Sequence, residues 1–135
     1  MNIDKAFRLA AGESSNPGVG PDNTWCCQQT MLRIKSPKAS LDFYTKVLGM
    51  TLIEHFDFPQ YKFSLYFVGY LPSGMKLEDL PPVGERHVLA TKLPGLIELT
   101  HNHGTEAESG DVYHTGNSYG GCEGGFGHIG NYTYS

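Results

Sequence analysis

Leu96-Ile97-Glu98-Leu99-Thr100-His101-Asn102 is the stretch whose reading decides the fold. It reads as a β-strand, and the side chains of a strand alternate between its two faces. Ile97 and Leu99 then share one face, and Glu98, Thr100 and Asn102 share the other. Burying Glu98 without a partner would cost several kcal/mol or force its protonation, so its face meets either water or a ligand. A second stretch, Gln28-Gln29-Thr30-Met31-Leu32-Arg33-Ile34, alternates in the same way. Gln29, Met31 and Arg33 fall on one face, Thr30, Leu32 and Ile34 on the other. Two strands that each direct ligand-capable groups off one face point to a shared site.

Working outward, the segment that follows the earlier strand is a helix. Ser36 is a natural N-cap and Pro37 suits the first helical position, where its missing N–H costs nothing. Leu41, Tyr44 and Leu48 form an apolar stripe. Asp42 and Lys46 sit four apart on the solvent side, and Gly49 supplies the stop. Strands are predicted at Met50–Phe56, Lys62–Tyr70 and Gly95–His101, with a turn at Asp57–Gln60. Residues 71–86, rich in Pro and Gly, read as a long loop, and His87–Ala90 as a short edge strand. The order β-α-β-β-β gives an α+β fold. Beyond Asn102 the composition turns to Gly, Ser, Glu and Asp through residue 125, a loop, and Phe126–Thr133 reads as one more strand. Residues 1–24 read as a flexible N-terminal segment with one helical turn near Lys5–Ala11.

At 135 residues the chain suffices for one domain with a real core. A hydrophobic share of 39% with 12% aromatics argues for a folded protein over a disordered one. The net charge of −4 and scattered Lys and Arg disfavour nucleic acid as a partner. No apolar run approaches the roughly 18 residues of a membrane helix, and Met1–Ser15 lacks the apolar core of a secretory signal. Three cysteines, Cys26, Cys27 and Cys122, two of them adjacent, do not make a disulfide framework. A cytoplasmic, reducing location is the expectation, and the sequon at Asn131–Thr133 is then a chance match.

With these elements in place, QQTMLRIKSPKASLDFYTKVLGMTLIEHFDFPQYKFSLYF at 28–67 resembles the first half of eukaryotic-type glyoxalase I, the lactoylglutathione lyase family. So do IELTHNHGTE at 97–106, YHTGNS at 113–118 and GFGHIG at 125–130. That family belongs to the vicinal-oxygen-chelate superfamily, built from paired βαβββ modules. The resemblance implies a glyoxalase domain over 25–135. Residues 25–102 would be the first module, 103–125 a loop, and 126–135 the first strand of a second module that stops there.

The resemblance further implies isomerisation of the hemithioacetal of glutathione and methylglyoxal to S-lactoylglutathione on a metal, in methylglyoxal detoxification. Gln29, Glu98 and His128 would be metal ligands, and Glu98 is the carboxylate left for catalysis. An amide oxygen, a carboxylate and an imidazole suit zinc acting as a Lewis acid, with nickel or another divalent metal as alternatives. Arg33 and Asn102 would hold a glutathione carboxylate. Phe58, Leu65 and Phe67 match positions of the pocket for the thiol-side substituent, and Tyr61 stands at a pocket position where the family often has Met. His55, His87, His101, His103 and His114 receive no role.

Two departures bear on activity. Gly124 stands where the family has an Arg that helps bind glutathione, and Glu123 adds a negative charge beside it. The sequence also ends at Asn131-Tyr132-Thr133-Tyr134-Ser135, before the family's second site glutamate, usually assigned as the base. The expectation is therefore little turnover by this short chain alone. The partner expectation is a homodimer, or a heterodimer with a full-length relative. The alternative is a non-catalytic metal- or glutathione-binding pseudoenzyme that pairs with such a relative. An extradiol dioxygenase on the same scaffold is disfavoured, because that chemistry uses two His and a carboxylate around iron and Gln29 occupies one of those places.

Overall fold

The structure, a computed structural model, describes residues 27–113 and 129–130. The expected lead segment at 1–24 and, apart from Ile129 and Gly130, the expected strand at Phe126–Thr133 lie outside the described residues, as do His128 and Gly124. Four strands form one sheet: β1 (Gln29–Ile34), β2 (Thr51–Phe58), β3 (Phe63–Gly69) and β4 (Leu96–Asn102). Their spatial order is β1-β4-β3-β2. β1 runs parallel to β4, while β3 is antiparallel to both β4 and β2.

Between β1 and β2 lies the expected helix, α1 (Pro37–Leu41), which runs on as a wider π-type stretch over Asp42–Val47. Ser36 Oγ accepts a long hydrogen bond from the Ala39 amide at 3.4 Å. Asp42 meets Lys38 at 3.0 Å and Lys46 at 2.6 Å. The chain leaves at Gly49 with a φ of 70°, a left-handed turn that suits glycine. The stripe Leu41, Tyr44 and Leu48 packs on Ile34, Met50, Val68, Ile97 and Leu99, so one sheet face is closed by the helix. That is the face on which alternation places Leu32, Ile34, Ile97 and Leu99.

The other sheet face carries a second cluster, Ile53, Phe67, Ala90, Leu93 and Leu96, flanked by Phe56, Leu65, Leu71 and Leu89. Here His87–Ala90 departs from expectation. It is not an edge strand but the start of a helix, α2 (His87–Lys92). Leu89, Ala90 and Leu93 are spaced to share one side of a helix turn, and that side lies on the sheet. Gln28 Nε2 donates to the carbonyls of Ala90 at 2.8 Å and Leu93 at 3.1 Å, groups that a helix end otherwise leaves without partners. A short 3₁₀ turn at Leu77–Asp79 interrupts the loop that precedes α2. The turn after β2 also shifts: β2 continues through Phe58, and a 3₁₀ turn over Pro59–Tyr61 leads to Lys62 in the left-handed region.

A Cβ added at Gly69 would lie 2.5 Å from Leu96 Cδ2, beneath the second cluster. Gly69→Ala is expected to cost about 1–3 kcal/mol, the usual penalty of overpacking a filled core, read as a lower urea midpoint. An unchanged midpoint would mean that the Leu96 side chain swings aside freely.

Candidate functional site

The parallel pairing of β1 with β4 sets the site. Its register places Met31 opposite Glu98 and Arg33 opposite Thr100. Gln29, Arg33, Glu98, Thr100 and Asn102 therefore share one sheet face, the face opposite α1. Gln29 Nε2 donates to Glu98 Oε2 in a short contact. Two positions further along, Arg33 Nη1 lies 3.4 Å from Asn102 Oδ1. Both pairs are separated by 69 residues, as a single parallel register demands.

Around these pairs the environment grades from exposed to buried. Gln29 and Arg33 are exposed, Glu98 and Asn102 half-buried, and Thr100 buried. Thr100 Oγ1 donates to Glu98 Oε1 at 3.3 Å, so both carboxylate oxygens of Glu98 are held. Asn102 Nδ2 donates to the hydroxyl of Tyr113 at 3.2 Å. Tyr113 reaches this position because the loop after β4 is tied back to the end of β1. Lys35 Nζ donates to the Gly110 carbonyl at 2.6 Å, and Thr105 Oγ1 lies 2.9 Å from the Lys35 carbonyl.

The antiparallel β3 supplies the apolar half of the same face. Phe67 pairs with Glu98, Leu65 with Thr100 and Phe63 with Asn102. Phe67 is buried and belongs to the cluster under α2, while Leu65 is half-buried. Phe58 stacks on Phe63 with ring centroids 4.8 Å apart. Tyr61, on the 3₁₀ turn, is 70% exposed and 6.4 Å from the Phe63 ring, at the rim. Polar groups on β1 and β4 thus border apolar groups on β3 and β2, an arrangement suited to a ligand with a charged end and an apolar substituent.

A divalent cation requires donors that converge. Gln29 and Glu98 bring two polar heads into contact, and turning the Gln29 amide about its last bond exchanges Nε2 for Oε1. The donor set therefore fits two corners of a cation site. Among the described residues no group of three or more His, Cys, Asp and Glu side chains is placed to hold a metal. His128, the third ligand implied by the resemblance, lies outside them.

Sequence reasoning assigned nothing to Glu54, yet its side chain is wholly buried. A register shift between Leu52 and Glu54 puts the carboxylate beneath the loop that leads into α2. It accepts from the amides of His55 at 2.8 Å, Gly84 at 2.6 Å and Arg86 at 2.6 Å, and His87 Nδ1 lies at 3.1 Å. Burial pushes its pKa up, but the three amides and His87 outweigh burial and hold it below the usual carboxylate value.

The histidines without a role gather mostly on the α1 side, in a recess lined by His55, Asp57, Ser64, His101, His103 and Glu106. His101 Nε2 meets Glu106 at 2.7 Å, and His103 Nε2 meets both Ser64 Oγ at 2.7 Å and Asp57 at 3.2 Å. A hydrolytic relay needs its acid on the other ring nitrogen from the serine. Here both partners use Nε2, and Ser64 is buried, so this trio is a structural hydrogen-bond cluster.

A lactoylglutathione lyase of Pseudomonas putida is 46% identical over 101 residues, covering 74% of this chain and 54% of that protein. One of Schizosaccharomyces pombe is 50% identical over 100 residues, covering 74% of this chain and 28% of that protein. Glyoxalase I from Zea mays superposes with a TM-score of 0.41 at 30% identity, covering 56% of this chain and 21% of the other. The chain thus spans about half, or less, of the curated relatives it matches. Among the described residues no helix is long and apolar enough to cross a membrane. A profile described as the Glyoxalase/Bleomycin resistance protein/Dioxygenase superfamily matches residues 27–133, which takes in every strand of the sheet, and the chain belongs to that superfamily.

Proposed function

We propose that this chain carries the site of a metal-dependent lactoylglutathione lyase, acting on the hemithioacetal of glutathione and methylglyoxal. The observation that carries the reading is the alignment of Gln29–Glu98 and Arg33–Asn102 along one face of two parallel strands. The names of the relatives point the same way. Gln29, Glu98 and His128 would hold a divalent cation, with zinc the first choice for oxygen and imidazole donors. Bound there, such a cation supplies Lewis-acid stabilisation of negative charge on substrate oxygen.

The chain's own groups do the rest. Arg33 and Asn102 bind and orient a glutathione carboxylate, the guanidinium by charge and the amide by direction. Leu65, Phe67 and Phe58, with Tyr61 at the rim, receive the apolar side of the hemithioacetal. Glu98 takes the proton from the carbon that bears sulfur and returns it to the neighbouring carbon, while the hydroxyl proton passes to the neighbouring oxygen, so the net change is an isomerisation. Thr100 keeps that carboxylate aimed, and removing its hydroxyl loosens the aim without removing a ligand.

The test uses the purified chain dialysed against zinc, then supplied with glutathione and methylglyoxal. About one zinc retained per chain and a low, zinc-dependent yield of S-lactoylglutathione are the expected results. Zinc and glutathione binding without product would replace this reading by the pseudoenzyme. Failure to bind either would remove both.

A further inference from the structure

The structure assigns a third carboxylate-binding group to the site: we propose that the Tyr113 hydroxyl, in line with Arg33 and Asn102, donates a hydrogen bond to the same ligand carboxylate. The inference rests on the glutathione reading above and adds a residue to it. Arg33 Nη1 reaches Asn102 Oδ1 at 3.4 Å, and Asn102 Nδ2 reaches the Tyr113 oxygen at 3.2 Å. The direction of this chain is the point. A phenol has one hydrogen to give and accepts through its oxygen. Because Tyr113 accepts from Asn102, its own hydrogen is left to be given, and among the described residues no acceptor takes it. Tyr113 is only half-buried, and a phenol hydrogen turns to meet the acceptor that approaches it.

The setting favours an anion as the acceptor. Polarisation runs from the guanidinium through the amide to the phenol, and each bond in such a chain strengthens the next donor. The loop that bears Tyr113 is not loosely placed, because Lys35 and Thr105 fasten it to the end of β1. A guanidinium, an amide and a phenol in one row can offer three donors to the two oxygens of a carboxylate. Hydrogen bonds to an ionised acceptor are roughly twice as strong as neutral ones.

Calorimetric titration of the full chain with S-hexylglutathione tests this. Tyr113→Phe keeps the ring and removes the hydroxyl, and about a tenfold rise in Kd is expected, the effect of one charge-assisted hydrogen bond. The same change in an Asn102→Ala background separates direct contact from an effect passed through Asn102. A further several-fold weakening there supports direct donation, and no further weakening overturns it. If Arg33→Ala weakens binding while Tyr113→Phe leaves it unchanged, the Tyr113 assignment fails and the site reading stands. If the wild-type chain does not bind the ligand, both fall. A thermal melt of Tyr113→Phe matching the wild type excludes unfolding as the cause.

Discussion

Glu98→Ala is expected to lose zinc retention altogether and, wherever the wild type turns over, to lower the rate by about 10²–10⁴-fold, the usual worth of a positioned general base. Both effects follow from the two duties proposed for this one side chain. Its Oε2 contacts Gln29 and its Oε1 accepts from Thr100. Removing a ligand's hydrogen-bond partner typically costs about 10–100-fold in metal affinity, so Thr100→Val should fall in that range and Glu98→Ala well beyond it. Equilibrium dialysis with zinc reads the binding effect independently of turnover. Equal zinc affinity in Glu98→Ala and the wild type would take Glu98 out of the metal site, whatever the rate did. The fold should survive the change, because Glu98 is only half-buried and shares its face with other polar groups.

A second large effect is expected far from that chemistry. Glu54→Ala leaves the buried amide of Arg86 and the part-buried amide of Gly84 without their acceptor. Each orphaned amide costs about 1–3 kcal/mol, so a loss on the order of 3 kcal/mol is expected. The Arg86 side chain, which donates to the carbonyls of Leu52 and Pro81, would lose its anchor as well. Chemical denaturation measures the loss, and a change below about 1 kcal/mol, within the range of ordinary surface substitutions and weak contacts, would show that water takes the carboxylate's place.

The pH dependence of the same group has a definite sign. Burial raises the Glu54 pKa, but the amides of His55, Gly84 and Arg86 and the nearby His87 lower it by more, for a net depression. A carboxylate depressed in the folded state stabilises the fold fully above its unfolded value of about 4.3. That contribution is lost as pH falls through the folded value. Melting temperature should therefore drop more steeply below about pH 4 in the wild type than in Glu54→Gln. Parallel curves would assign the acid sensitivity to other carboxylates, with Asp57 and Glu106 next in line. Ser64 and then His103 and His55 hold Asp57 low, while Glu106 is held low by its own amide and then by His101.

Alternation and helical spacing determined most of what places the site. The i, i+2 pattern in Gln29–Ile34 and Leu96–Asn102 already separated a polar face from an apolar one. The stripe Leu41, Tyr44 and Leu48, closed by Ser36 and Gly49, marked α1. These features are local, so the sequence carries them directly. Gln29, Arg33, Glu98 and Asn102 were nameable for the same reason, as each sits at a fixed position on its strand. Their roles as ligands and binding groups remain the proposal made here. The parallel register of β1 on β4 is not local, and it alone brings residues 69 apart into contact. His87–Ala90 fits a strand or a helix equally well, because its apolar run, Val88-Leu89-Ala90, is too short to show a period. Its packing on the sheet beside Ile53, Phe67 and Leu96, with Gln28 capping its carbonyls, decides for the helix. Glu54 was invisible for a further reason. A register shift turns it inward against strict alternation, and its three amide donors come from its neighbour and from a loop some thirty residues away. Tyr113 reached Asn102 only through a loop fastened by Lys35 and Thr105. Spacing in sequence fixes which face a side chain takes, whereas tertiary contacts fix which faces meet.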